Sequence, residues 1–375
     1  MQQAYDHLKK TTPKIIFTVT NDLNYDQRMQ RICNSLQNNG FEVLLVGRER
    51  KNSKPLKKQA FQQKRLKCWF NRNFLFYAEY NIRLWFFLLF NKYSVVCGID
   101  LDTLPAAYFS ALVKFKKCVY DAHEYFPEIP ELQGRRGVKL FWTRIERFLL
   151  PKVARIYTVS HGIKEIFEKR YKREVELIRN LPHLKVVSKQ SFEHEYIIYQ
   201  GALNVGRGLE TLISIMPQIN AQLWLAGEGD LSDELRSLAS KNFSKEDSSK
   251  IKFLGKIDPK DLKQITANAA LGINLLEPMG ESYFHSLSNK FFDYTMAAIP
   301  QVCIDFPEYQ RLNEEHEVAV LVADLDPQKL VSCINDLLQN HALREPLIAN
   351  CKVARTEWNW EHEEKHLIEI YNQLV

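Results

Sequence analysis

Short apolar runs alternate along this chain with longer stretches in which apolar residues recur at helical spacing. Residues 14–20 form a continuous apolar strand, and residues 21–25 a polar turn. Residues 26–39 place Met29, Ile32, Cys33 and Leu36 on one helical face, Gly40 ends that helix, and residues 42–46 are apolar again. This opening predicts a βαβ unit, and so a parallel sheet covered by helices. Further strands are expected at 94–99, 117–121, 155–160 and 175–178. A polar, Pro-containing stretch follows at 182–195, where the pattern predicts a linker. A second alternating series then starts, with strands at 196–200, 223–226, 251–254, 271–276 and 301–304. Its helices are expected at 209–216, from about Ser288 to Ala298, at 325–339 and from Trp358 to Leu374. The fold class is α/β, in two domains of the Rossmann type, over residues 1–181 and 196–355, with a closing helical segment at 356–375. No G-x-G-x-x-G follows the first strand, which argues against a nicotinamide cofactor.

Composition adds one asymmetry. The 375 residues are 45% hydrophobic and 26% charged, an ordinary globular balance. Residues 1–195 carry 35 Lys and Arg against 19 Asp and Glu, whereas residues 196–375 carry 16 against 26. The first half is therefore +16 and the second −10. A basic half points to an anionic neighbour, and no nucleic-acid motif is present, so an anionic membrane is the expected partner. Residues 51–72 hold eight cations and no acid, and residues 73–91 are rich in Phe, Tyr, Trp and Leu. The 51–91 segment is either a membrane-surface patch or a solvated loop followed by a helix with a buried face. Its longest apolar run, residues 84–90, is too short to span a bilayer. Seven cysteines lie scattered without metal spacing, and Cys97, Cys118 and Cys303 fall in apolar strands. Free buried thiols and a polar start at residues 1–14 predict a reducing, cytoplasmic setting, at the inner face of a membrane if docked.

The candidate chemistry gathers in residues 275–303. Lys290 falls in the first turn of the helix that Ser288 is placed to cap, where free N–H groups and the helix dipole favour an anion. Asp293 lies one turn, roughly 5 Å, further along the same face. A cation at a helix start followed by a carboxylate suits a nucleoside diphosphate, whose ribose has a diol; an ordinary amphipathic helix with a solvated ion pair has the same pattern. His123 follows the strand at 117–121, at the carboxyl end that faces the ligand crevice in such sheets. A lone histidine there is structural as often as functional.

The segment SLSNKFFDYTMAAIPQV resembles the donor-site segment of family 4 glycosyltransferases. So do YQGALNVGRGLETLI, LWLAGEGDL and IKFLGKIDPKDL upstream of it. In the first half TVTNDLNYDQRMQRICNSLQNNGFEVLLV, GIDLDTLPAAYFSALVKFKKCVYDAHEYFPE and ARIYTVSHGIKEIF look like family segments in family order. The resemblance implies the GT-B architecture, two Rossmann-like domains with a deep interdomain cleft, the last helix crossing back to the first domain. It implies a retaining transferase that needs no metal, so the D-x-D of Asp100 and Asp102 is expected to be no metal site, Asp102-Thr103 serving as a helix cap. By the same resemblance Arg207 and Lys290 contact the donor diphosphate, Gly201 and Asn289 lie beside it, and Gly255 lies by the nucleobase. Asp293 holds the ribose and His123 acts near the reacting sugar. Two positions depart from the family pattern. Ala202 replaces an expected cation, and His285 stands where a glutamate is usual, with Glu281 a substitute in the same loop. The expected function is transfer of a sugar from a nucleotide-diphosphate sugar to a glycan or lipid-linked acceptor, in cell-surface polysaccharide or glycoconjugate synthesis. No cofactor is expected. The alternatives are a sugar-nucleotide epimerase of the same fold and a non-catalytic, membrane-attached binding protein with a degenerate donor site.

Overall fold

The computed structural model describes residues 12–188, 195–243 and 250–375. The expectations for the polar start, up to residue 11, and for linker residues 189–194 therefore lie outside the described residues. The chain divides into two compact units. The first comprises Met1–Val159, Ile163–Arg179 and Glu364–Val375; the second comprises Ser160–Gly162 and Asn180–Glu363.

In the first stretch of chain the elements run β1 (Lys14–Thr18), α1 (Gln27–Asn38), β2 (Glu42–Glu49), β3 (Gln62–Lys67), α2 (Asn73–Phe90), β4 (Val95–Ile99) and α3 (Asp100–Val113). They continue as β5 (Lys117–Ala122), α4 (Arg136–Leu149), β6 (Arg155–Thr158), α5 (His161–Tyr171) and β7 (Glu176–Leu177). The seven strands pair in parallel in the order β3-β2-β1-β4-β5-β6-β7. The order reverses between β1 and β4, so their carboxyl ends frame a crevice. Asp26 caps α1 by accepting the Met29 N–H, as its place before the periodic stretch predicts. Two details differ from the sequence reading. The lysine-rich stretch before residue 72 contains a strand, β3, whose position at the sheet edge tolerates a row of charges. Asp102 and Thr103 do not cap a helix, because α3 already begins at Asp100; Asp102 accepts the Thr20 hydroxyl instead. Helix α2 has the buried face expected of the aromatic run, with Phe76, Tyr80, Leu84 and Leu88 buried, while Phe74, Ile82, Phe86 and Phe90 are exposed.

The second series runs β8 (Tyr196–Gln200), α6 (Leu209–Ile215), β9 (Gln222–Ala226), α7 (Ser232–Asn242), β10 (Ile251–Gly255), α8 (Pro259–Asn268), β11 (Leu271–Asn274), α9 (Glu281–Phe284) and α10 (Asn289–Met296). After these come β12 (Gln301–Ile304), α11 (Pro307–Glu315), β13 (Ala319–Val322), α12 (Pro327–Gln339), α13 (His341–Glu357) and α14 (Trp360–Asn372). Its sheet is also parallel, in the order β10-β9-β8-β11-β12-β13, and reverses between β8 and β11. Leu181 is fully buried in a core with Phe291, Phe292, Tyr309 and Trp358, so this unit's packing begins before the polar stretch at 182–195. Among the described residues no helix is long and apolar enough to cross a membrane.

Candidate active site

In the second unit the site is built around the start of α10. The helix is fixed by its apolar side: Phe291, Phe292, Tyr294 and Met296 are buried. The Tyr294 ring lies so close to Gly272 of β11 that a Cβ there would sit 2.4 Å from it. The Tyr294 hydroxyl donates to Ile198 O at 3.1 Å and accepts the Gln200 N–H at 3.2 Å, tying the helix to β8. Ser288 occupies the cap position but makes no capping bond; its hydroxyl donates to Asn274 Oδ1 at 3.0 Å. That leaves the first-turn N–H groups of α10 without the side-chain acceptor that the sequence placed there.

Lys290 projects from this turn into the protein and is only 6% exposed. Its ammonium lies 4.7 Å from the Tyr199 ring centroid, and its Cε is 3.7 Å from where a Cβ on Gly201 would stand. Burial, and then the charge of Arg207, push its pKa down to about 7. Among the described residues no carboxylate forms an ion pair with it. Arg207 stacks over Tyr283 at 4.8 Å, and its Nε is buried without a hydrogen-bond partner. Two cations therefore meet at the carboxyl end of β8, beside the point where strand order reverses. Gly227 has to be small, because a Cβ on it would fall 1.8 Å from the Gly201 carbonyl oxygen, and Gly201 itself has φ +131°, a backbone conformation that favours glycine. Gly255 has φ +66°, and Glu228, paired to Arg236 at 2.7 Å, lies next to it.

Asp293 is half-buried and its Oδ2 accepts from Gln200 Nε2 at 2.7 Å; Gln200 Oε1 in turn accepts from Thr266 Oγ1 at 2.6 Å. The carboxylate is thus held in one orientation by a chain of amide and hydroxyl. Asn289 Oδ1 accepts from Asn180 Nδ2 at 2.7 Å. The sequence reading expects only a polar loop after β11, yet one turn of helix, α9, forms there. It sets Glu281 and His285 one turn apart, with His285 Nε2 3.2 Å from Glu281 Oε2. The His285 Nδ1 is buried and unpartnered.

His123 belongs to the first unit and sits in a separate cluster at the carboxyl end of β5. Its Nε2 is 3.0 Å from Asp121 Oδ2, and Asp121 Oδ1 accepts from Arg28 Nη2 at 3.0 Å. Asp121 and Arg28 are both buried. Arg28 also donates to Ile178 O, which fixes its fork. Burial alone would lower the His123 pKa, but the Asp121 carboxylate outweighs it and holds the ring up to about 9. The backbone N–H of His123 donates to Asp100 Oδ1 at 2.9 Å. Asp100 has φ +53°, a left-handed conformation that a non-glycine residue adopts only when its surroundings hold it. Burial pushes the Asp100 carboxyl up to about 8 and that of Asp102 to about 7. Among the described residues no group of His, Cys, Asp and Glu is arranged to hold a metal ion.

The structure thus gathers Gly201, Arg207 and Lys290, joins Glu281 to His285, and fixes Asp293 through Gln200. The reading from sequence missed Arg28, Asp121, Tyr199, Gln200 and Thr266. Asp121 stands two residues before His123, at the strand end, and that spacing was the available signal. Arg28 and Thr266 carry none, since only the fold brings them near.

Residues 27–181 match the family described as Glycosyltransferase Family 4, and residues 194–340 match the family described as Glycosyl transferases group 1. An uncharacterized glycosyltransferase of Methanocaldococcus jannaschii is 24% identical over 186 residues, 48% of this chain and 45% of that protein. The match to this curated relative thus spans about half the length of each. Among solved structures, sucrose-phosphate synthase from Thermosynechococcus elongatus superposes with a TM-score of 0.80 at 16% identity, over 96% of this chain and 99% of that one. HepE of Anabaena, in complex with UDP-glucose, gives 0.75 at 16% identity over 96% and 100%. WaaG, a glycosyltransferase involved in lipopolysaccharide biosynthesis, gives 0.70 at 14% over 95% and 99%. At such identities the likeness establishes the fold.

Proposed function

We propose that this chain, a glycosyltransferase family 4-like protein of the GT-B fold, moves a sugar from a nucleoside-diphosphate sugar to a glycan or lipid-linked acceptor. The observation that carries the donor assignment is the pair of cations in the second unit: a buried Lys290 with no ion-pair partner among the described residues, beside an Arg207 whose Nε is unsatisfied. A buried unpaired charge is costly, and a diphosphate is the ligand that relieves it. Asp293, held by Gln200, then takes the ribose diol, and the Glu281–His285 turn meets the sugar. HepE in complex with UDP and with UDP-glucose supports a nucleotide-sugar donor on this fold.

The proposed reaction retains anomeric configuration and needs no metal. The bond from the sugar C1 to the diphosphate oxygen breaks, the acceptor oxygen bonds C1 on the same face, and the acceptor proton passes to a donor phosphate oxygen. Charge developing on the diphosphate is stabilised by Arg207, Lys290 and the start of α10. His123 is assigned to turnover rather than to nucleotide binding. The proposed setting is cell-surface polysaccharide or glycoconjugate synthesis.

A thermal-shift panel of UDP, GDP and ADP with their sugars identifies the base, because a ligand that binds the folded state raises the melting temperature. Calorimetry with the selected nucleotide then tests the site. Arg207→Ala or Lys290→Ala is expected to weaken binding by roughly 1.5–3 kcal/mol, the scale of a charged hydrogen bond. Affinity unchanged in both variants overturns the assignment. Release of free nucleoside diphosphate without any acceptor, with an epimerised sugar, would replace transfer by epimerisation.

A further inference from the structure

The first unit exposes more large apolar surface than its own core requires. Helices α2, α3 and α4 share one core on one side of the seven-stranded sheet. Their outer sides remain apolar. On α2, Phe74, Ile82, Phe86 and Phe90 follow one another at four- and eight-residue spacing, and Phe90 is 85% exposed. Trp69, just before α2, is 82% exposed, and Phe115, just after α3, is 94% exposed. Val138, Leu140, Phe141 and Phe148 of α4 are exposed as well, and the Phe74 and Phe141 rings meet at 5.9 Å, so the helices present one continuous face. A groove of about 460 Å³ opens between α2 and β3, walled by Ile82, Phe86, Phe87 and Phe90. A monomer seldom leaves so large an apolar area bare without a use for it.

The charges on this face have one sign. Arg72, Lys116, Arg135, Arg136, Arg144 and Arg147 are exposed around it. Every acid of the three helices is withdrawn. Glu79 pairs with Arg83 and accepts the Trp69 and Phe70 N–H groups. Glu146 is fully buried with Arg170 and Tyr171. Asp100 and Asp102 are taken up by the His123 N–H and the Thr20 hydroxyl. Exposed aromatics inside a cationic rim match a surface that is anionic outside and apolar beneath, which is a bilayer rather than a protein. No helix among the described residues spans a membrane, so the contact is peripheral.

We propose that the outer face of α2, α3 and α4 docks on an anionic lipid bilayer, its aromatic side chains entering the headgroup boundary. The seat is these helices, not the lysines of residues 51–58, whose segment folds back on Asn24 through the Lys54 and Pro55 carbonyls and the Lys57 N–H. Helices α2 and α4 both start at the carboxyl edge of the sheet, the edge that also carries His123. A lipid-linked acceptor held in that bilayer therefore arrives on the side of the first unit where the histidine lies. Only this last step rests on the transfer reading.

The test is flotation of the full chain with vesicles of phosphatidylcholine alone or mixed with phosphatidylglycerol, at low and high salt. The parent is expected to float only with the mixed vesicles, and less at high salt. Arg136→Gln/Arg144→Gln/Arg147→Gln should weaken partitioning by about fivefold per cation removed. Phe86→Ser/Phe90→Ser/Phe115→Ser should abolish it, while Lys51→Gln/Lys54→Gln/Lys57→Gln should leave it within twofold of the parent. Each variant's nucleotide-induced thermal shift, read without vesicles, reports folding and donor binding separately from docking. The proposal is overturned if the parent ignores the mixed vesicles at low salt, or if neither helix variant loses binding. It is equally overturned if light scattering shows that the Phe variant loses a dimer instead, which would assign the face to a second copy of the chain.

Discussion

A buried lysine without an ion-pair partner costs stability, and among the described residues Lys290 has none. Its pKa is about 7 in the fold against an ordinary value near 10.5, so between those pH values the unfolded chain binds more protons than the folded one. Its penalty is full below pH 7 and fades as pH rises toward 10.5. Lys290→Met should therefore melt higher than the parent without ligand, with the difference greatest below pH 7 and shrinking toward pH 10, while losing nucleotide affinity. A melting series across pH checks this, and a variant that melts lower at pH 6.5 contradicts the unpaired charge. His123 works in the opposite direction. Its pKa, raised to about 9 by Asp121 against the effect of burial, gives stability that is fully present below about pH 6.5 and is lost as pH rises through 9. His123→Gln should lower the melting temperature most in acid and little at pH 10. It should also cut turnover while leaving nucleotide affinity within about threefold, because the proposal gives that role to the other unit's cations. Equal losses in turnover and affinity would remove His123 from the reaction.

Among the elements, the proposed function divides the donor between α10 and α9. Helix α10 is anchored by Tyr294 to β8 and by Phe291 and Phe292 to Trp358, which makes it a rigid base for Lys290 and Asp293. Helix α9 is a single turn whose Glu281 faces His285 at its C-terminal cap, and it follows Gly280, whose φ of +93° turns the chain into it. Its role should therefore be confined to the sugar. His285→Ala is expected to leave the affinity for nucleoside diphosphate within about threefold while raising the KM for the nucleotide sugar more than tenfold, since ground-state sugar contacts would be lost without the diphosphate contacts. Parallel losses of both would assign His285 to the fold of the loop. The two helices also differ in how plainly the sequence shows them. Apolar residues at helical spacing announce α10, whereas four residues of α9 are too few to show a period. Edge strand β3 was hidden for the same kind of reason: its alternation of Gln, Lys and Arg has no apolar face to reveal it.

At the scale of the whole molecule, periodicity and strand spacing reveal both parallel sheets, because strands buried on two faces must be apolar nearly throughout. The carboxyl-end rule then places His123 toward the crevice, and the sequence order of βα units suffices for that. What supports them is set by tertiary contact and was not legible: Arg28 reaches Asp121 across 93 positions of sequence, and Thr266 reaches Gln200 across 66. The exposed face of α2 to α4 was half legible, since composition shows the aromatics but not which side of each helix the core consumes. The electrostatics of the second unit make a further prediction about the reaction. A nucleoside diphosphate leaving group must be neutralised as it departs, and enzymes do so with cations of the chain or with a bound divalent ion. Here Arg207 and Lys290 already stand together at a helix start, although the unit as a whole is acidic. On the proposed assignment those two charges supply the neutralisation that a divalent ion would otherwise bring. Consumption of the preferred nucleotide sugar is therefore expected to proceed within about twofold of its full rate in excess EDTA, and Arg207→Ala to lose at least tenfold in rate at unchanged pH. Rates followed with EDTA, Mg²⁺ and Mn²⁺ decide the point. A parent enzyme silenced by EDTA and restored by either ion would move the neutralising charge from these two side chains to a metal.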